Sequence, residues 1–285
     1  MSKKELKWRL KLEVTVELES ARQMLAGGKA KQALLKLIKL SQTCSHDLDY
    51  LYLLADVQNE LGDTKNQLKT LRLIQATSNK TVDKIAFYKM CIFTGELREL
   101  NALLVTTDYA TLTSKEQVQV LDLELELAIH HGEVEKIYAC QRKYEDLKRT
   151  SARYFYSLAL INLKNNEEAN ALENLRTSLA MDAQMDTSWT ALALLHHKIG
   201  DVDLALANLQ KALDSNPYNQ TALKLFSSWS FDQARMNKAE TYLNFYLDRY
   251  SFDESMTMNK INLLEKNGFD DAAECEYLKL KLYFG

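Results

Sequence analysis

Hydrophobic and polar residues follow a helical period through most of the chain. In residues 186–217, DTSWTALALLHHKIGDVDLALANLQKALDSNP, Trp189, Leu192 and His196 lie three and four apart on one face, with Ala193 beside them. Ala205, Leu209 and Ala212 make the matching face of a second helix. Alanines at a helix crossing let two backbones approach, because the interaxial distance depends on the side chains at the contact. Gly200 falls where the first helix must end, and glycine takes the left-handed conformation without steric cost. Asp201 and Asp203 then open the second helix, where negative charge suits the positive end of the dipole. Pro217, the single proline, follows Asn216 as a stop signal.

The same pattern recurs at a near-fixed spacing. Ala171, Ala205, Ala239 and Ala273 are each separated by 34 positions, as are Leu175, Leu209, Leu243 and Tyr277. Six of the eight glycines (Gly28, Gly62, Gly95, Gly132, Gly200 and Gly268) fall at the expected break between two helices. The spacing predicts a lead-in segment over 1–13 and helix pairs near 14–47, 48–81, 81–114, 118–151, 152–185, 186–219, 220–253 and 254–285. One joint is irregular. Tyr88 stands at the position that is usually small, and a polar, threonine-rich stretch, VTTDYATLTSKEQ, follows it at 105–117. Within that stretch Thr113 and Glu116 have the spacing of a capping box.

Two segments depart from the helical period. Leu6, Trp8, Leu10, Leu12, Val14, Val16 and Leu18 alternate with polar residues, which is the strand signature. The segment reads either as a lead-in helix buried on several sides or as an extended strand lying along the array or pairing with another chain. A second alternating run, LDLELELAIHHG, opens the fourth repeat, where Ile137 and Gln141 stand in place of the expected alanine and leucine.

The residues at 186–219 resemble the tetratricopeptide repeat, a helix–turn–helix unit of 34 residues. Trp189, Leu192, Ala193, Ala205, Leu209, Ala212 and Pro217 match the family's pattern, and His196 stands at its aromatic position. The resemblance extends over nearly the whole chain and weakens between 82 and 151. It implies an all-α fold: one right-handed superhelical solenoid of antiparallel helix pairs over 1–285. It also implies a non-catalytic scaffold or adaptor that binds a segment of another protein on a concave face lined by the first helix of each repeat. On that face Tyr156, Leu160 and Leu163 form a stripe, Leu194 and Phe231 continue it, and His197 and Lys224 edge it. The family's clamp for a chaperone's terminal carboxylate is not reproduced. Two other roles remain open: a structural subunit that self-associates at its terminal edges, and an accessory module of an enzyme complex.

Composition narrows the picture. The chain is 46% hydrophobic and 26% charged, which is ordinary for a globular protein. A formal charge of −3 argues against a general nucleic-acid binder, so no nucleic acid is expected as a partner. Cys44, Cys91, Cys140 and Cys275 are widely spaced and read as core thiols in a reducing compartment. No apolar run approaches a membrane span and no signal-peptide core is visible, so a cytoplasmic location is expected. There is no phosphate-binding glycine loop, HExxH or GxSxG, and neither enzymatic activity nor a cofactor is expected. The pairs His130–His131 and His196–His197 point about 100° apart on a helix and read as structural or surface histidines rather than metal ligands. Repeat arrays need polar ends, yet the last residues are apolar. Leu282 and Phe284 are therefore expected to form a terminal interface with a second copy or a partner.

Overall fold

In the computed structural model the backbone is described for residues 3–78, 80–105, 107–230, 232–251 and 253–284, and the side chains of 3–11, 105, 283 and 284 are left aside. Among the described residues the chain forms sixteen α-helices, one short 3-10 helix and no strand. They divide into two compact units, residues 1–127 and 128–285. The first unit contains α1 (Lys3–Ala26), α2 (Ala30–Cys44), α3 (Leu48–Glu60), α4 (Thr64–Thr77), α5 (Thr81–Thr94) and α6 (Leu97–Val105). The 3-10 turn Tyr109–Thr111 and most of α7 (Ser114–His131) complete it. The second unit contains α8 (Val134–Asp146), α9 (Ala152–Lys164), α10 (Glu168–Met181), α11 (Asp186–Lys198), α12 (Val202–Ser215) and α13 (Gln220–Trp229). After them come α14 (Gln233–Arg249), α15 (Glu254–Lys266) and α16 (Asp270–Phe284). The all-α expectation holds.

Short acidic and amide side chains start many of these helices. Asp63, Asp201, Asp232, Asp253 and Asn219 each accept a hydrogen bond from a backbone N–H in the first turn of α4, α12, α14, α15 and α13 respectively. Each satisfies a donor that has no partner inside the helix. The Thr113–Glu116 capping box forms: the Thr113 N–H donates to the Glu116 carboxylate at 2.9 Å and the Glu116 N–H to the Thr113 hydroxyl at 3.4 Å. Between the helices, the six break glycines take φ between 66° and 86°. The turn from α9 to α10 has no glycine, and there Asn166 takes φ 61°, as asparagine tolerates. Gly200 tests this reading cleanly. A Cβ built on it meets nothing within 4 Å, so only the backbone conformation resists a side chain. Gly200→Ala is expected to cost about 1–2 kcal/mol in chemical denaturation.

Alanines fill the crossings as their spacing implies. Ala159, Ala171, Ala193, Ala205, Ala212, Ala222, Ala239 and Ala273 are all buried in the second unit, and Ala21 and Ala33 in the first. The alternating segment at 6–18 is helical, lying within α1, so the extended reading is corrected. Leu18 is buried and Val14 packs against the same core, while Leu12 and Val16 stay exposed. Among the described side chains of the run, one side of α1 meets the core and the other faces solvent. In α7 the alternation has a different cause: Val120, Leu121, Leu123, Leu125 and Leu127 are all buried, so that helix is covered around most of its girth.

All four thiols are free, but only Cys44, Cys91 and Cys140 are buried, whereas Cys275 is exposed. Burial pushes the Cys91 thiol up to about 12, and burial likewise raises that of Cys44. Since the thiolate is the reactive form, native protein at neutral pH should label rapidly at Cys275, and at the other three only on unfolding. Mass spectrometry after a short alkylation pulse reads this directly. Among the described residues no helix is long and apolar enough to cross a membrane.

Candidate functional site

The predicted stripe belongs to the first helices of successive pairs in the second unit: α9, α11 and α13, with α15 following. Their backs rest on two cores. Ala159, Ala171, Leu175, Ala191 and Leu192 form one. Ala193, Leu209, Ala212, Leu223, Phe226 and Leu243 belong to the other. Trp189 packs on both, which joins them. Its indole N–H donates to the Ala183 carbonyl at 2.9 Å, and the Lys211 ammonium lies 4.4 Å from its ring centroid.

Polar contacts between residues about one repeat apart tie these helices side by side. Near their N-termini, the Asp186 carboxylate accepts from the amides of Asn216 at 2.9 Å and Asn219 at 2.7 Å, linking α11 to α13. Gln220 donates to the Tyr246 hydroxyl at 2.7 Å, and that hydroxyl donates to Asp253 at 2.6 Å, just ahead of α15. Burial, and then this bond to Asp253, push the Tyr246 phenol up, so it stays a donor at any physiological pH. Midway, Asn259 donates to the Ser227 hydroxyl at 2.8 Å. At the other end the His197 and Trp229 rings stack with centroids 3.8 Å apart and planes 10° from parallel. The Lys266 ammonium donates to the Ser228 and Ser230 carbonyls at 3.1 and 2.6 Å. A cation there satisfies the free carbonyls that end α13 and suits the negative end of its dipole.

The predicted residues occupy this face unequally. Leu194 is 45% exposed and Lys224 is exposed. Tyr156, Leu160, Leu163 and His197 are half-buried, and Tyr156 and Leu163 spend part of their surface on the core beside Trp189. Among the described residues Lys224 has no ion pair, unlike Lys198, which meets Glu168 at 2.6 Å. Phe231 lies outside the described residues, as does the side chain of Phe284. Leu282, on α16, is 85% exposed. Trp229 is the residue that sequence reasoning missed. Its only advance signal was a tryptophan within the small, polar run Ser227–Ser230. Among the histidines, His196 is buried and His130 and His131 are exposed. Among the described residues no group of three or more His, Cys, Asp or Glu side chains is placed to hold a metal ion. Apolar area, one aromatic stack and the Lys224 ammonium thus lie on α11 and α13, which are tied to each other at both ends.

The tetratricopeptide repeat model matches residues 186–219, the stretch that carries Leu194 and His197. Residues 186–219 thus match a tetratricopeptide repeat, and the helix pairs around them share its all-α repeat fold. Solved structures of the same fold agree. The human IFIT1 dimer with PPP-AAAA aligns at a TM-score of 0.50 and 14% identity, covering 95% of this chain and 73% of that one. The APC/C hetero-tetramer Cut9-Hcn1 aligns at 0.50 and 15%, covering 93% and 52%. A search of curated proteins finds no match. Tetratricopeptide-repeat proteins are generally non-catalytic interaction scaffolds. The exclusion of nucleic acid as a partner is corrected, because IFIT1 carries an oligonucleotide on this fold. A net charge of −3 sums the whole surface, whereas a bound strand meets only the charges lining one face.

Proposed function

We propose that this chain is a non-catalytic scaffold that holds an apolar segment of another protein against α9, α11 and α13. One observation carries the reading: Leu194 stands 45% exposed on α11, which the Asp186–Asn219 bond and the His197–Trp229 stack tie to α13 at both ends. A large apolar side chain left in water on a backbone that is already fixed adds only its own side-chain ordering to the cost of association, which favours binding. Amphipathic-helix and extended-segment modes both fit such a stripe. The four free thiols suit a reducing compartment, and the cytoplasm is the one proposed. A single-stranded nucleic acid is the second reading, supported by the oligonucleotide on IFIT1 and by the stacked His197–Trp229 pair beside the free Lys224.

The test is capture from the source cell with wild-type protein and with Leu160→Asp combined with Leu194→Asp, identifying proteins and nucleic acids in parallel. The scaffold reading expects a defined protein to be captured by the wild type and lost from the double variant, with the helical circular dichroism unchanged. Loss of bound nucleic acid in place of a protein would favour the second reading. An unchanged set of captured molecules would remove this face from consideration.

A further inference from the structure

The irregular joint of the first unit encloses a cavity of about 410 Å³, within the roughly 300–1,000 Å³ range of small-molecule sites. It lies where two departures from the repeat meet. Tyr88 stands at the position where Ala55, Ala159 and Ala193 let their paired helices close. The threonine-rich stretch then forms a 3-10 turn, Tyr109–Thr111, in place of a direct connection to the next helix. A bulky ring at a helix crossing cannot be closed over, and the turn walls the gap that remains. Tyr88 is only 3% exposed and lines the cavity.

Opposite charges also line this cavity without meeting each other. Among the described residues neither Lys84 nor Asp108 takes part in an ion pair. Asp108 uses one carboxylate oxygen to cap the 3-10 turn, accepting from the Ala110 N–H at 3.0 Å, and the other oxygen remains. Ile85, Leu103, Leu112 and Val120 supply apolar lining. We propose that this cavity binds a free amino acid, with Lys84 receiving the carboxylate, Asp108 the ammonium, and the Tyr88 hydroxyl a further hydrogen bond. One cation and one anion match a zwitterion and leave no charge for an ionic side chain, so neutral amino acids bind best. The site is independent of the face on α9, α11 and α13.

The experiment uses the full chain and the twenty standard L-amino acids at millimolar concentration, read by thermal shift and then by calorimetry. At least one neutral amino acid should raise the melting temperature and give a saturable isotherm. Its N-acetyl derivative and its amide, each lacking one charge, should bind at least tenfold more weakly. Lys84→Gln and Asp108→Asn should each weaken binding roughly tenfold or more, as expected for the loss of a charged hydrogen bond. Asparagine retains an acceptor for the Ala110 N–H, so the turn is kept. Tyr88→Phe should weaken binding by a smaller factor, because the lost bond is to a neutral donor. Leu194→Asp should leave binding unchanged. The proposal is overturned if none of the twenty binds at millimolar concentration, or if the N-acetyl derivative and the amide bind as well as the free amino acid. Undiminished binding by folded Lys84→Gln and Asp108→Asn would overturn it equally.

Discussion

Leu209→Ala is expected to destabilise the second unit by about 2–5 kcal/mol, the cost of a buried leucine whose cavity cannot collapse. Leu209 is fully buried, in one core with Ala193, Ala212, Leu213 and Phe226. The two alanines are already at the closest approach of their helices and have no side-chain length with which to fill a void. The loss also spreads. In a repeat array the stability of each pair depends on its interfaces with the next, and Leu209 shares its core with residues of α11, α13 and α14. Urea denaturation followed by circular dichroism measures the effect, with Leu194→Ala as the comparison. That exposed leucine should cost under about 0.5 kcal/mol, as surface substitutions usually do. Similar losses at the two sites would contradict the division between core and free face drawn here.

The second large effect is on binding. Each apolar side chain buried by a partner on α9 and α11 is worth about 1.5–3 kcal/mol before ordering costs. Losing two of them removes about 3–6 kcal/mol, or roughly two to four orders of magnitude in affinity. Two or three anchors give at best about micromolar binding after the costs of association, so the Leu160→Asp, Leu194→Asp variant should show no measurable binding in calorimetry against the identified partner segment. Its stability should change little at Leu194. Leu160 is half-buried, and a carboxylate there tests how much of its surface belongs to the core. A binding loss under about tenfold in the folded variant would place the energetic centre elsewhere.

Much of the fold was legible because its defining contacts are backbone approaches that only small residues permit. Alanines 34 positions apart and a glycine at six of the breaks leave few other solutions. The alternating runs were ambiguous for a physical reason. A period of two is what a half-buried strand shows, but a helix surrounded by neighbours, as α7 is, places no restriction on which positions are apolar. The α9–α10 turn was legible only in part, since Asn166 does there what glycine does elsewhere. At the candidate face, the exposure of Leu194 follows from its place on the helix. The His197–Trp229 stack does not, because it depends on how far each pair is rotated against the next. Net charge misled, since it says nothing about the distribution along one face. Tyr88 and the threonine-rich joint were visible as irregularities, and what they enclose required the packing of α5 against its neighbours.

The central claim is that partners bind on the exposed face of the first helices in the second unit. A photo-activated phenylalanine analogue placed singly at Leu194, and separately at Phe245 on α14, tests it most directly. Both positions are about half exposed, 45% and 50%, so the probe is tolerated equally at each. Irradiation in the source cell, followed by mass spectrometry, should give a discrete adduct from position 194 and none from position 245. An adduct from position 245 alone, or the same adduct from both, would contradict the account.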